Sequence, residues 1–192
     1  KDIDLIFKTA DSLFPFASRQ KITRVLQGAI LSNMFFEPST RTRISFGSPF
    51  NMLGGEVRET TEIEATSLAK GESLYDTSRV LSGYSDVIVM RHPLAGSVAE
   101  FAEASRVPVI NGGDGDNEHP SQALLDLFTI KKELESHNKE IDTARIALIG
   151  DLKFGRAAHS LCKILMLYTN ISIKLVSPDK LKLPDFLISE FE

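Results

Sequence analysis

Hydrophobic positions along this chain change period in a regular way. Ile3, Ile6, Phe7, Ala10, Leu13 and Phe14 fall at three- and four-residue steps, the spacing of one helix face, and Pro15 marks the expected end of that helix. The next apolar stretch, 29–36 (AILSNMFF), is short and unbroken, as suits a buried strand. After the polar segment 37–43 (EPSTRTR), helical spacing returns through Phe46, Phe50 and Leu53 and stops at Gly54 and Gly55. Strands are then expected at 56–60, 86–91 and 107–111, with a helix over 71–84 that sets Leu74, Ser78 and Leu81 on one side. Residues 97–100 (SVAE) have the form of a capping box opening a helix through Ala104.

A turn-rich loop, 112–120 (GGDGDNEHP), leads into a helix over 119–135. Pro120 stands where a first helical turn tolerates it, and Leu124, Leu127 and Phe128 supply the packing face. The polar, aperiodic stretch 136–142 reads as a linker. Strand 145–150, helix 155–167 and strand 172–177 follow. Strand and helix alternate throughout, which predicts an α/β fold of mostly parallel sheets flanked by helices. The expected division is one unit over 1–135 and the start of a second over 136–192. Gly47 and Pro49 fall inside the helix after segment 37–43, and an interior proline removes a ladder hydrogen bond, so a kink is expected between Ser45 and Pro49.

Composition narrows the function. The 192 residues are enough to bury a substantial core, and 42% hydrophobic with 25% charged content is that of a globular protein. A net charge of −4 argues against a nucleic-acid binder. Cys162 is the one cysteine, so no disulfide forms within the chain, and a cytoplasmic setting is expected. No apolar run is long enough to predict a membrane span, and no leader pattern is visible. The chain opens on Lys1 inside a helical pattern and stops at ISEFE, as a piece of a longer protein would.

Candidate chemistry gathers at strand and helix edges. Ser39, Thr40, Arg41 and Thr42 open a helix, where backbone N–H groups and the helix dipole attract anions; the stretch fits either a phosphate pocket or a well-capped helix with solvated arginines. Arg91 lies just past a buried strand, at the edge where open α/β sheets bind ligands. His119 and Gln122 lie one helical turn apart and offer an imidazole and an amide to one point, although on this stretch alone a plain cap is the favoured reading of His119. Ser67 and Lys70 lie in a short loop before Gly71. Arg156 begins a helix after Gly150 and Gly155, whose spacing is not that of a dinucleotide fingerprint. Four cations, Arg41, Lys70, Arg91 and Arg156, placed in this way in an acidic chain point to small, multiply anionic substrates.

Five ordered segments, FFEPSTRTRISF, SLAKGESLYDTSRVL, VIVMRHP, NGGDGDNEHPSQALLDLFTI and GDLKFGRAAHSL, resemble the transcarbamylases, and within them the catalytic chains of the aspartate carbamoyltransferases. The likeness runs from about residue 3 to the end of the chain. It implies a complete carbamoyl-phosphate domain, part of an amino-acid-binding domain, and transfer of the carbamoyl group of carbamoyl phosphate to L-aspartate in pyrimidine synthesis. It also implies that Ser39, Thr40, Arg41 and Thr42 hold the phosphate, that Arg91, His119 and Thr42 meet the carbamoyl oxygen, and that Gln122 accepts from the carbamoyl amine. Ser67 and Lys70 would come from a neighbouring subunit of a homotrimer, Lys70 serving the aspartate as well, and Arg156 would bind an aspartate carboxylate. No metal, cofactor or covalent intermediate is required by such a reaction, in which fixed donors stabilise the growing negative charge, each by about 3 to 4 kcal/mol. Regulatory chains or pathway enzymes remain open as partners.

The family's second domain continues past residue 192 and supplies a further arginine, a glutamine and a His-Pro-Leu-Pro-type loop that this sequence lacks. Its closing helix, which returns to the first domain, is also missing. The isolated segment is therefore expected to keep much of the carbamoyl-phosphate pocket and to catalyse poorly. An ornithine-type transcarbamylase and a non-catalytic scaffold homologue are the alternatives.

Overall fold

The structure is a computed structural model that describes residues 1–61 and 67–189; the Ser67 side chain also lies outside the described residues. By packing, the chain divides into two compact units, Lys1–Gly115 and Asp116–Glu192.

In the first unit, helix α1 (Asp2–Ala17) precedes β1 (Ile30–Phe35), α2 (Thr40–Met52), β2 (Glu56–Thr60), a 3-10 turn at Ser67–Lys70, α3 (Leu74–Leu81), β3 (Val87–His92), α4 (Ser97–Ala104) and β4 (Val109–Asp114). The four strands form one parallel sheet in the order β2-β1-β3-β4, as the unbroken apolar runs predict. Alternation along the strands builds two cores. Leu31, Phe35 and Val89 pack with Phe46 and Phe50 of α2 on one face. Met34, Phe36, Ile88 and Met90 pack with Val98 and Phe101 of α4, and with Leu74 and Leu81 of α3, on the other. Parallel pairing puts every strand's C-terminal end at the same edge. Because β2 lies to one side of β1 and β3 to the other, the chain changes winding direction between β1 and β3.

The second unit contains α5 (Pro120–Ser136), β5 (Arg145–Ile149), α6 (Arg156–Leu165), β6 (Ser172–Val176) and the short helix α7 (Asp185–Ile188). Strands β5 and β6 pair in parallel, and α5 packs along α6. Leu152, Cys162, Leu183 and Leu187 form the buried cluster. Burial pushes the Cys162 thiol up to about 11, so it behaves as a small apolar side chain.

Several local expectations are corrected. Helix α1 runs through Pro15 to Ala17, because a proline two residues from the end removes one ladder bond without stopping the last turn; Ser18 N–H still reaches the Phe14 carbonyl. The helix expected over Gly47 and Pro49 is α2, which holds both in its interior as the sequence places them. Residues 97–100 make no capping box: Gly96, at φ 84°, is the N-cap of α4 and Ser97 lies inside the helix. A side-chain cap forms instead at α3, where the Ser73 hydroxyl accepts from the Asp76 N–H at 3.0 Å and donates to its carboxylate at 2.7 Å.

Candidate active site

The winding change between β1 and β3 sets Arg91 beside the segment that leads from β1 into α2. Phe35 of β1 pairs in register with Arg91 of β3, and the Phe36 N–H donates to the Arg91 carbonyl at 2.9 Å. The chain leaving β1 therefore enters α2 beside the arginine. Ser39 is the N-cap of α2 in extended conformation, makes no capping bond through its side chain, and is followed by exposed Thr40 and Arg41 and half-buried Thr42.

Arg91 is held tightly. Its side chain is only 8% exposed; Nη2 donates to Glu37 Oε1 at 2.6 Å and Nη1 to the Gly112 carbonyl at 3.4 Å. The buried Nε has no partner. A guanidinium out of solvent with an unspent donor is costly unless a ligand is part of its design. Neither Glu37 nor Gly112 stood out in the sequence, although an acid directly after a strand and before a helix start was a signal.

The loop after Arg91 is pinned. His92 Nδ1 accepts from the Leu94 N–H at 3.1 Å and its ring meets Phe36 edge-on. Burial lowers the His92 pKa below its ordinary value, so the ring is kept neutral. Asp114 at the end of β4 accepts from the Gly96 N–H at 3.0 Å and from Asn111 Nδ2 at 3.1 Å. Gly115, at φ 59°, lets β4 exit against this loop, since a Cβ there would meet the Pro93 carbonyl oxygen at 2.7 Å. Lys70 ends the 3-10 turn Ser67–Lys70 and is exposed.

In the second unit, His119 is the N-cap of α5 and is buried; its Nδ1 lies 3.4 Å from the Ser121 hydroxyl. Its backbone N–H donates to Ser160 Oγ at 2.9 Å, Ser160 donates to Glu118 Oε2 at 2.6 Å, and Lys163 Nζ donates to Glu118 Oε1 at 2.5 Å. Helix α6 thus holds the start of α5. Gln122 donates from Nε2 to Asp126 Oδ1 at 2.8 Å, which leaves its carbonyl oxygen to accept. Arg156 is the first residue of α6, after N-cap Gly155, where a Cβ would strike the Asp151 carbonyl oxygen at 2.5 Å. Among the described residues no group of three or more His, Cys, Asp or Glu side chains could hold a metal ion.

One electrostatic feature separates the helices. The first turns of α1, α3, α4 and α7 carry an acidic residue, as helix starts ordinarily favour. The first turns of α2, α5 and α6 carry none, and their N-caps Ser39, His119 and Gly155 make no side-chain capping bond. The three helix starts that bear sequence candidates are the ones with no acidic residue in the first turn.

The fold is that of an α/β protein with parallel sheets, and the starts of α2, α5 and α6 carry the sequence candidates for anion binding. Residues 1–132 match the family model for the aspartate/ornithine carbamoyltransferase carbamoyl-P binding domain, and the chain belongs to that family. It is 68% identical over 190 residues to the aspartate carbamoyltransferase catalytic subunit of Cellvibrio japonicus, covering 99% of this chain and 56% of that protein. Among solved structures it is similar to the catalytic subunit of M. jannaschii aspartate transcarbamoylase, with 46% identity and a TM-score of 0.90 over 99% of this chain and 61% of that one. It is also similar to the Trypanosoma cruzi aspartate transcarbamoylase in complex with N-(phosphonacetyl)-L-aspartic acid, with 41% identity and a TM-score of 0.89 over 99% of this chain and 60% of that one. The chain thus spans little more than half the length of these relatives.

Proposed function

We propose that the protein containing this chain transfers the carbamoyl group of carbamoyl phosphate to the amino group of L-aspartate, releasing phosphate. The observation that carries this reading is the start of α2, with no acidic residue in its first turn, beside the buried Arg91 guanidinium whose Nε has no partner. Similarity to aspartate carbamoyltransferases, including a Trypanosoma cruzi enzyme crystallised with carbamoyl phosphate and aspartate, supports the choice of both substrates.

In this reading residues 1–135 are the carbamoyl-phosphate domain and 136–192 open the aspartate domain. Ser39, Thr40, Arg41 and Thr42 take the phosphate. Thr42, Arg91 and His119 donate to the carbamoyl oxygen as negative charge grows on it, and Gln122 orients the carbamoyl amine. Arg156 takes an aspartate carboxylate. Ser67 and Lys70 act from a neighbouring subunit of a trimer. The aspartate amine attacks the carbonyl carbon, the carbon–oxygen bond to phosphate breaks, and phosphate carries away the electron pair and takes up the proton that the amine loses. Holding two anionic reactants together supplies the proximity contribution.

Calorimetric titration of the full native chain with carbamoyl phosphate tests this. Binding that disappears in Arg41→Ala, with the fold intact, supports it; absence of binding in the native protein sinks it. Assays with aspartate and with ornithine then decide the acceptor.

A further inference from the structure

The face of β1 that meets α2 reads Leu31, Asn33, Phe35. Its outer two side chains belong to the apolar core with Phe46, Phe50 and Val57, yet the middle one is an amide with no solvent exposure. Asn33 Nδ2 donates to the Arg43 carbonyl oxygen at 3.1 Å and to Glu59 Oε1 at 3.4 Å. The second oxygen of Glu59 lies 3.4 Å from Arg43 Nη1. Asn33 Oδ1 is buried without a partner. Reversing the amide would set oxygen against two acceptors, so the orientation is determined by its surroundings.

For packing alone this is a poor choice. A branched apolar side chain would fill the same position and leave no orphaned acceptor. What Asn33 adds is direction. Phe46 and Phe50 hold α2 by apolar contact, which tolerates small rotations and slides of the helix. Arg43 directly follows Thr42, so a hydrogen bond on its carbonyl and an ion pair on its guanidinium tie the first turn itself to β1 and β2. The same contacts draw the second arginine of the segment toward Glu59.

We propose that Asn33 and Glu59 are positioning residues: through Arg43 they clamp the first turn of α2 and so hold the Ser39–Thr42 donors in place for an anion. This rests on the reading of that turn as the phosphate site.

The test is titration of the full native chain with inorganic phosphate, by calorimetry and by following the Thr40–Thr42 amide resonances, in native protein, Asn33→Leu, Asn33→Thr, Glu59→Gln and Arg41→Ala. Asn33→Leu is expected to keep or raise the melting temperature, shift the ligand-free Thr40–Thr42 amides, and weaken phosphate binding about tenfold. Asn33→Thr, which retains a donor, recovers part of that loss, and Glu59→Gln weakens binding to a smaller extent. Native-like affinity in both Asn33→Leu and Glu59→Gln overturns the clamp, as does loss of affinity that only tracks loss of stability. If Asn33→Leu does not fold, Asn33→Thr and Glu59→Gln decide on the same criteria. Loss of binding in Arg41→Ala alone leaves the phosphate site standing and the clamp refuted; no binding by native protein refutes both.

Discussion

Arg91 and Glu37 face each other across the end of the parallel sheet, Nη2 to Oε1 at 2.6 Å, with the arginine almost wholly out of solvent. The pair neutralises a buried guanidinium, and in doing so it sets an internal carboxylate where an anionic ligand would compete for the same donor.

Replacing Glu37 with Gln keeps an acceptor there and removes the charge. Stability is expected to fall by about 1 to 2 kcal/mol, since the cation loses its counter-ion but not its hydrogen bond. Carbamoyl phosphate should bind severalfold tighter. Chemical denaturation and calorimetry on the same variant check both signs, and weaker binding would mean that Glu37 orients Arg91 rather than competing for it.

Gly47 carries no steric necessity. A Cβ there would lie 3.7 Å from Asn33 Nδ2, Glu59 Oε1 and Val57 Cγ1, all ordinary contacts, in the interior of a helix. Gly47→Ala is therefore expected to stabilise the protein by about 0.5 to 1 kcal/mol, read from the urea midpoint.

Gly115 is the opposite case. At φ 59°, with the Pro93 carbonyl oxygen 2.7 Å and the Ala95 nitrogen 3.0 Å from an added Cβ, alanine must displace the loop that follows Arg91. Gly115→Ala is expected to cost about 1 to 3 kcal/mol and to weaken phosphate binding. Unchanged melting and affinity would show that the loop yields freely.

His92 gives the protein an acid-sensitive contribution. Burial, outweighing the attraction of the Glu100 carboxylate, holds its pKa below the usual 6.5. The folded state then binds fewer protons than the unfolded chain, so stability rises with pH across that window. The contribution is complete above pH 6.5 and declines as the pH falls from there toward the folded-state pKa. His92→Gln, whose carbonyl can accept from Leu94, should flatten the dependence of unfolding free energy measured between pH 7.5 and 5.5.

Much of the fold was legible because periodicity carries it. The buried strands announced themselves as unbroken apolar runs, and strand 56–60 begins and ends where its composition suggests. Helix limits were less legible. Pro15 and Gly96 show that a proline near a helix end, or a glycine able to adopt positive φ, shifts a boundary that side-chain pattern alone places elsewhere. The candidate residues were legible as types at edges. Their partners were not, because Glu37, Gly112, Asn33 and Glu59 lie far in sequence from the groups they hold.

By itself, the sequence determined the order of strands and helices, the parallel α/β class and the cationic and hydroxyl groups set at helix starts, since each follows from local period and residue chemistry. Only tertiary structure decided that Arg91 is paired with Glu37 and short of one partner, that Arg43 is tied to Asn33 and Glu59, and that β1 and β3 are the strands between which the winding changes. Those outcomes depend on strand order and on which buried polar groups meet across it, and no local pattern encodes the meeting of residues that lie 10 to 54 positions apart.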